Sequence, residues 1–186
     1  GTLCWWSGGS PVAPHGLDSV PPSALPGSLT FTLNTTEDTI DAHPGDGKCA
    51  DSHGQCSLRA AVMEANALGA PVVINIPAGT YQLTRTSPVD EQGGDLDLTS
   101  NVTLRGAGAD QTILDGNGAD RVLQVYWDRT VTVEGVTVRN GRTTEWGGGI
   151  YNVGTLSLTG STVSGNTAER SGDGGGIYNL GTLSLT

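Results

Sequence analysis

The carboxylates are the side chains of this sequence most able to do chemistry. In "GDLDL", Asp95 and Asp97 share one face of a predicted strand. Such a pair could hold a cation, and a polysaccharide lyase needs carboxylates that bind Ca²⁺ together with an arginine or lysine base. A glycoside hydrolase needs clustered Asp or Glu residues at a defined separation. The further candidates are the carboxylates Asp115, Asp120, Glu134 and Asp173 and the bases Arg121, Arg129 and Arg139.

No catalytic motif accompanies these residues. None of the arginines lies in a recognisable lyase motif, and the sequence has no nucleophile elbow, phosphate-binding loop or paired CxxC. A solvated strand face is the interpretation that we favour for Asp95 and Asp97. We therefore predict that the protein is not an enzyme and that it needs no cofactor.

A second acidic group lies in the polar segment around "DAHPGDGKCADSHGQ". Its members are Asp38, Asp41, Asp46 and Asp51, and they lack the spacing of an EF-hand loop. The first three are weak candidates for a calcium site. Side chains that only decorate the loop are the alternative, and we prefer it.

The three cysteines indicate an oxidising compartment. Cys49 and Cys56 lie seven residues apart in "CADSHGQC", a loop short enough to close a small disulfide, with two free thiols as the alternative. Cys4 is left over, which indicates an intermolecular bond or a free thiol. The adjacent Trp5 and Trp6 are too apolar for a free tail. We expect these three N-terminal residues to contact this chain or a neighbouring copy.

Charge and hydropathy exclude several partners. The chain of 186 residues has 9 Lys+Arg against 19 Asp+Glu, a formal net charge of -10. A surface so acidic argues against nucleic acids and anionic membranes as partners. No apolar stretch approaches the length of a membrane span.

Three regions are predicted to position these side chains. Residues 1–27 form a Pro/Gly-rich extended arm. Residues 28–70 form an N-terminal cap with a strand, the cysteine loop and one helix, which Ser57 caps and Gly69 ends. Residues 71–186 are short strands separated by Gly, Asn and Asp, without intervening helices, which excludes a doubly wound sheet.

A repeat organises the third region. "GGGIYNVGTLSLT" begins at Gly147, and "GGGIYNLGTLSLT" begins 27 residues later. "VTVEGVTV" aligns with "LSLTGSTV" and places Gly135 over Gly160, and "VTLRGAG" lies 29 residues upstream of "VTVEGVTV". A glycine-rich period in the upper twenties with alternating apolar residues and Thr or Ser is typical of a parallel β-helix. We predict an all-β solenoid of about four coils.

The strands of one coil predict how coils stack. In "GTLSLT", Leu156 and Leu158 point inward while Thr and Ser point outward. Asn152 and Asn179 would lie one coil apart and form an amide ladder. Tyr151 and Tyr178 would stack outside, and a sugar-binding platform is the functional alternative for these rings.

The segment "CSLRAAVMEAN", with "IPAGTYQLT" and "GDLDLTSNVTLRGAG" after it, resembles a bacterial family. The family comprises secreted right-handed parallel β-helix proteins with a "CSLREAI"-type motif. Their repeat region, which "GGGIYNxGTLSLTxSTVSGNTA" resembles, is related to pectin-lyase-like and polymorphic-outer-membrane-type repeats. The resemblance covers roughly Leu29 to Thr186, and Ala60 stands where the motif usually has Glu.

The resemblance implies a right-handed solenoid, a helix that caps its N-terminal end, and a disulfide from Cys49 to Cys56. It also implies a bacterial extracellular or cell-surface location, and it does not imply a catalytic activity. The last strand, "GTLSLT", is a flat strand without a cap. We expect either further coils of a longer β-helix or stacking against another copy.

These observations predict a secreted or cell-surface structural protein. It would associate head-to-tail as a homo-oligomer or homopolymer, forming an extracellular filament, or it would serve as an adhesin stalk. The alternatives are a module that binds extracellular glycans through the solvent face of the coils and, third, a polysaccharide lyase or hydrolase.

Overall fold

A computed structural model describes residues 28–86, 92–169 and 174–186. The predicted arm, with Cys4, Trp5 and Trp6, lies outside the described residues, as does Asp173. The elements are β1 (Leu29–Thr32), α1 (Leu58–Leu68), β2 (Val72–Ile76), β3 (Gly79–Gln82), β4 (Leu96–Leu98), β5 (Val102–Gly106), β6 (Thr112–Asp115), β7 (Leu123–Val125), β8 (Thr130–Glu134), β9 (Thr137–Arg139), β10 (Arg142–Thr143), β11 (Ile150–Asn152), β12 (Thr155–Thr159), β13 (Thr162–Ser164), β14 (Thr167–Ala168), β15 (Ile177–Asn179) and β16 (Thr182–Leu185).

Three parallel sheets form the walls of a β-solenoid. The first sheet has the order β1-β2-β5-β8-β12-β16, the second β13-β9-β6-β3 and the third β15-β11-β7-β4. A small sheet pairs β10 with β14. Each turn of the chain contributes one strand to each wall and makes about four coils. The predicted fold class is therefore confirmed.

The register of the first sheet gives the coil lengths. Val72 pairs with Val102, Val102 with Val131, Val131 with Leu156, and Leu156 with Leu183. These pairs are separated by 30, 29, 25 and 27 residues. The alignments of 29 and 27 residues predicted from the repeat are confirmed.

The core is the column of inward side chains. Leu104, Val133 and Leu156 are each fully buried, because alternate residues of a strand point to opposite faces and the inward ones are apolar. Burying one such side chain contributes about 1.5–3 kcal/mol. No single coil encloses its apolar face, so stacking is what makes this core continuous.

Glycines allow the chain to turn between walls. Gly135 and Gly160, aligned in the repeat, have φ angles of 59° and 52°, in the left-handed region that glycine tolerates best. Both follow a strand of the first sheet and precede one of the second. The alignment of these two corners is thus confirmed.

The helix α1 begins and ends where the sequence predicts. The Ser57 hydroxyl accepts a hydrogen bond from the Ala60 N–H at 3.0 Å, and Gly69 closes the helix at a φ angle of 61°. The helix lies against β2 and β4 of the first coil. The Asn66 side chain fixes it there, since its amide donates to the Asp97 carbonyl and accepts from the Thr99 N–H.

Candidate functional site

Asp38, the first calcium candidate, is bound by protein groups. Arg59 Nε donates to Asp38 Oδ1 at 2.7 Å, and the backbone N–H groups of Thr84 and Arg85 donate to Asp38 Oδ2. The guanidinium of Arg59 also donates to the Gly94 carbonyl at 2.8 Å. The carboxylate therefore joins α1 to the first coil.

The other loop carboxylates hold the backbone of the loop. Asp41 accepts from the N–H groups of His43 and Ala50, and Asp46 accepts from that of Lys48. Asp51 accepts from Gln55 and His53, and these backbone hydrogen bonds, that of Gln55 foremost, hold the pKa of Asp51 below its usual value. Within residues 28–86, 92–169 and 174–186, no three His, Cys, Asp or Glu side chains gather as metal ligands.

Cys49 and Cys56 are joined by a disulfide, with Cα atoms 5.0 Å apart. The predicted bond is confirmed, and the alternative of two free thiols is wrong. Glu64, on the helix behind this loop, is a structural residue that sequence reasoning missed. It is fully buried and accepts hydrogen bonds from the N–H groups of Gly45 and Gly47. A glutamate on the otherwise apolar face of α1 was the signal that could have found it.

The outer face of the third sheet brings two groups of candidates together. Asp97 pairs in register with Gln124, Gln124 with Tyr151, and Tyr151 with Tyr178. These side chains therefore form one column along the solenoid, with a carboxylate at its first coil and aromatic rings at its later coils.

Asp95 lies beside this column and faces Arg121. Asp95 Oδ2 and Arg121 Nε are 3.4 Å apart, in an ion pair that lacks hydrogen-bond geometry. Burial raises the pKa of Asp95, and the positive charge of Arg121 offsets part of that rise. Burial also raises the pKa of Tyr126 to about 12, and the carboxylates of Asp97 and Asp95 add to it.

The aromatic rings contact one another and an arginine. The ring centroids of Tyr151 and Tyr178 are 5.8 Å apart, and Trp146 lies 6.3 Å and 6.0 Å from them. The Arg121 guanidinium carbon lies 5.1 Å from the Tyr151 centroid. The predicted stacking of the tyrosines is confirmed, and the ring contacts of Tyr151 are made within the chain.

A groove follows the turns after the second sheet. One section has a volume of about 380 Å³ and a second about 340 Å³, and they share Gly118 and Arg142. We call them together the polar groove. Its first section is lined by Gln82, Asp115, Asn117, Gly118, Asn140, Gly141, Arg142, Gly165 and Thr167, and its second by Gly118, Ala119, Asp120, Arg142, Thr143, Thr144 and Glu169.

The remaining described carboxylate candidates lie in two further places. Asp115 and Asp120 line the polar groove, and Arg139 donates to Asp115 Oδ2 at 2.9 Å. Glu134 forms an ion pair with Arg105 on the outer face of the first sheet. The structure therefore separates the described carboxylate candidates into four places, the cysteine loop with Asp38, the third sheet, the polar groove and the first sheet, and it pairs Asp38, Asp95, Asp115 and Glu134 with arginines.

Comparison with known proteins gives one similarity. Residues 160–180 match the Chlamydia polymorphic membrane protein (Chlamydia_PMP) repeat. This PMP-like segment is shorter than one coil, and it contains the second copy of "GGGIYN". Its similarity points to a bacterial outer-membrane or surface location.

The PMP-like segment includes β13, β14 and β15, so it contributes to the second, third and small sheets. No curated protein and no solved structure matches the chain significantly. In the parts of the chain that the structure describes, no helix has the length and apolar character needed to cross a membrane.

Proposed function

We propose that the chain is the β-helical, structural part of a bacterial cell-surface protein and serves as an adhesin stalk. The observation that carries this proposal is the stacking of coils in register around one apolar core. The PMP-like segment supports the cell-surface location. A solenoid whose coils contact only their neighbours makes a stiff spacer of adjustable length.

Labelling of intact cells tests the location. Antibodies raised against the purified 186-residue chain are expected to bind unpermeabilised cells of the source bacterium, and external protease is expected to remove the signal. Labelling that appears only after permeabilisation would contradict the proposal. A cytoplasmic marker antibody serves as the control for cell integrity.

The second part of the proposal is that copies of the chain associate with one another. The two copies of the repeat pair residue by residue, Ile150 with Ile177 and Asn152 with Asn179. A coil from another copy would offer the same pairing to its neighbour, which supports a head-to-tail homopolymer. Electron microscopy of the intact chain should reveal filaments, and a strictly monomeric species at high concentration would exclude them.

The stalk is proposed to be non-enzymatic. Asp38, Asp95 and Asp115, which come from three parts of the chain, are each paired with an arginine. These ion pairs tie the three carboxylates to neighbouring parts of the fold, and we therefore interpret them as structural rather than catalytic groups. Release of unsaturated sugars from pectate or alginate in the presence of Ca²⁺ would overturn this part of the proposal.

Carbohydrate binding is the second candidate function. The observation that favours it is the polar groove, because its lining is hydrogen-bonding side chains and glycines with one alanine. A glycan array probed with the labelled chain tests this role. The Tyr151→Ala and Tyr178→Ala variants test the tyrosine platform on the same array.

A further inference from the structure

We propose that the polar groove is a binding site for a neutral oligosaccharide that lies along the solenoid axis. This site rests on the proposed carbohydrate-binding role. It specifies where on the solenoid the carbohydrate binds and which class of carbohydrate it is. The groove crosses successive coils, since Gln82, Asp115, Arg139 and Ser164 follow one another in the register of the second sheet. Gln82 and Asp115 line it themselves, and the other lining residues lie in the segments that follow these positions.

The shape of the groove is fixed before any ligand binds. Asn117 and Asn140 have φ angles of 56° and 55°, a conformation that asparagine adopts more readily than most residues. Gln82 Nε2 donates to Asn117 Oδ1 at 2.9 Å, and Asn140 Nδ2 donates to Asp115 Oδ2 at 2.9 Å. These bonds hold side chains from adjacent coils, so a ligand would meet a pre-organised surface.

The same side chains keep unused hydrogen-bonding groups. Within the described chain, Gln82 Oε1, Asn140 Oδ1 and the Thr167 hydroxyl have no partner, and neither does the Asn117 amino group. The set therefore mixes donors and acceptors along one strip. Sugar hydroxyls are both donors and acceptors, so a row of them complements such a strip.

Charge selects a neutral ligand over an anionic one. Of the arginines that the structure describes here, Arg142 lines the groove and is paired with Glu169 at 2.6 Å, and Arg139 is paired with the lining residue Asp115 at 2.9 Å. Asp120 adds a further negative charge, and the whole chain has a net charge of -10. Among the described lining residues, a uronate chain would meet carboxylates without an unpaired cation to compensate them. The groove lining also offers little contact to an apolar ligand, because it contains one alanine as its apolar side chain.

Titration calorimetry on the intact 186-residue chain tests the site. The probes are cellohexaose, mannohexaose and xylohexaose as neutral chains and hexagalacturonate as the anionic chain. At least one neutral probe is expected to bind with a Kd of about 1 mM or below. Hexagalacturonate is expected to bind more weakly than that probe.

Three variants locate the binding. Asn117→Gly removes the amide while keeping the left-handed backbone accessible, and Gln82→Ala removes its partner. Each of these two substitutions should weaken binding at least fivefold. Thr167 is exposed in the groove lining, and Thr167→Trp should block binding. The matched control is Asn75→Ala, which removes an outward amide from the same coil on the first sheet and should leave the Kd unchanged. Circular dichroism checks that all four variants are folded.

Each result decides a different statement. Binding of a neutral probe that the groove variants leave unchanged would overturn the site while leaving the carbohydrate-binding role intact. Tighter binding of hexagalacturonate would overturn the neutral ligand class. The absence of binding by all the neutral probes would overturn the groove site, and a glycan array without any signal would overturn the carbohydrate-binding role with it.

Discussion

Arg59 donates from Nε to Asp38 Oδ1 across 2.7 Å, and the two side chains are 1% and 2% exposed. The pair joins the helix α1 to the segment between β1 and that helix. Because Asp38 also accepts from the backbone at Thr84 and Arg85, one buried ion pair fixes α1 onto the first coil.

Removing one partner of this pair should destabilise the protein strongly. Asp38→Ala removes the carboxylate to which the buried Arg59 Nε donates, and we expect the free energy of unfolding to fall by about 3–5 kcal/mol. Urea unfolding measures it. The exposed pair of Arg105 and Glu134 supplies the control, since Glu134→Ala should cost about 1 kcal/mol or less. Equal losses in the two variants would contradict a structural role for the buried pair.

Asn152 should matter more than its copy Asn179. The Asn152 side chain is fully buried, donates to Asn179 Oδ1 and the Thr182 carbonyl, and accepts from the Gly154 N–H. Asn152→Ala leaves a buried backbone group unpaired and should cost about 1–3 kcal/mol. Asn179→Ala, at an exposed position, should cost less in the same thermal unfolding experiment. The reverse order would refute the amide ladder as a source of stability.

Loss of the disulfide should weaken the cap. The double variant Cys49→Ser and Cys56→Ser opens a short loop, and the entropy that the unfolded chain gains gives an expected destabilisation of about 2–3 kcal/mol. Denaturant unfolding with and without reductant measures it. Reductant should lower the stability of the native chain toward that of the variant and leave the variant unchanged.

Two glycines at the same repeat position should respond differently to alanine. A Cβ atom at Gly149 would lie 2.5 Å from the Gly176 carbonyl oxygen, whereas one at Gly176 would lie 3.5 Å from Val163 Cγ1. Gly149→Ala forces adjacent coils apart and should cost about 1–3 kcal/mol. Gly176→Ala meets only ordinary contacts and should be tolerated. Thermal unfolding of the two variants compares them, and equal stability would be inconsistent with this close approach.

The ionisation of Tyr126 should reveal its acidic neighbours. Burial and the carboxylates of Asp97 and Asp95 raise its pKa from 10.0 to about 12. The unfolded chain therefore loses this proton first, so the contribution of Tyr126 to stability should decrease as the pH rises from about 10 to about 12. Spectrophotometric titration of the native chain against Tyr126→Phe isolates the transition.

Asp97→Asn removes one of these negative charges and should lower the pKa of Tyr126 in that titration. Glu134→Gln removes a charge from the first sheet and serves as the control, with no expected change. A Tyr126 pKa near 10 in the native chain, or a pKa that does not change in Asp97→Asn, would contradict the described cluster.

The repeat made most of the fold predictable. Leu156 and Leu158 alternate with hydroxyl residues, and the two copies of "GGGIYN" fix which residues of adjacent coils pair. Coils that stack in register share the same pattern of strands and turns. The sequence pattern of one coil therefore predicts the structure of the next. The helix was predictable for a similar reason, because its cap at Ser57 and its end at Gly69 are local signals.

The candidate site was less predictable. The sequence around Asp38 indicated a loop carboxylate. It did not indicate the ion pair, because the partner Arg59 lies 21 residues away in the sequence. The groove side chains of Gln82 and Asn117 are 35 residues apart and belong to no motif. Their meeting depends on how the turns of successive coils superpose.

The sequence by itself determined a parallel β-helix with an N-terminal helix and a disulfide-closed loop, because period, caps and cysteine spacing act over short stretches of chain. Only the tertiary structure decided which carboxylates meet arginines and where a groove forms. Those contacts join residues on different coils, and non-repeating side chains meet there only after the apolar core has stacked the coils together.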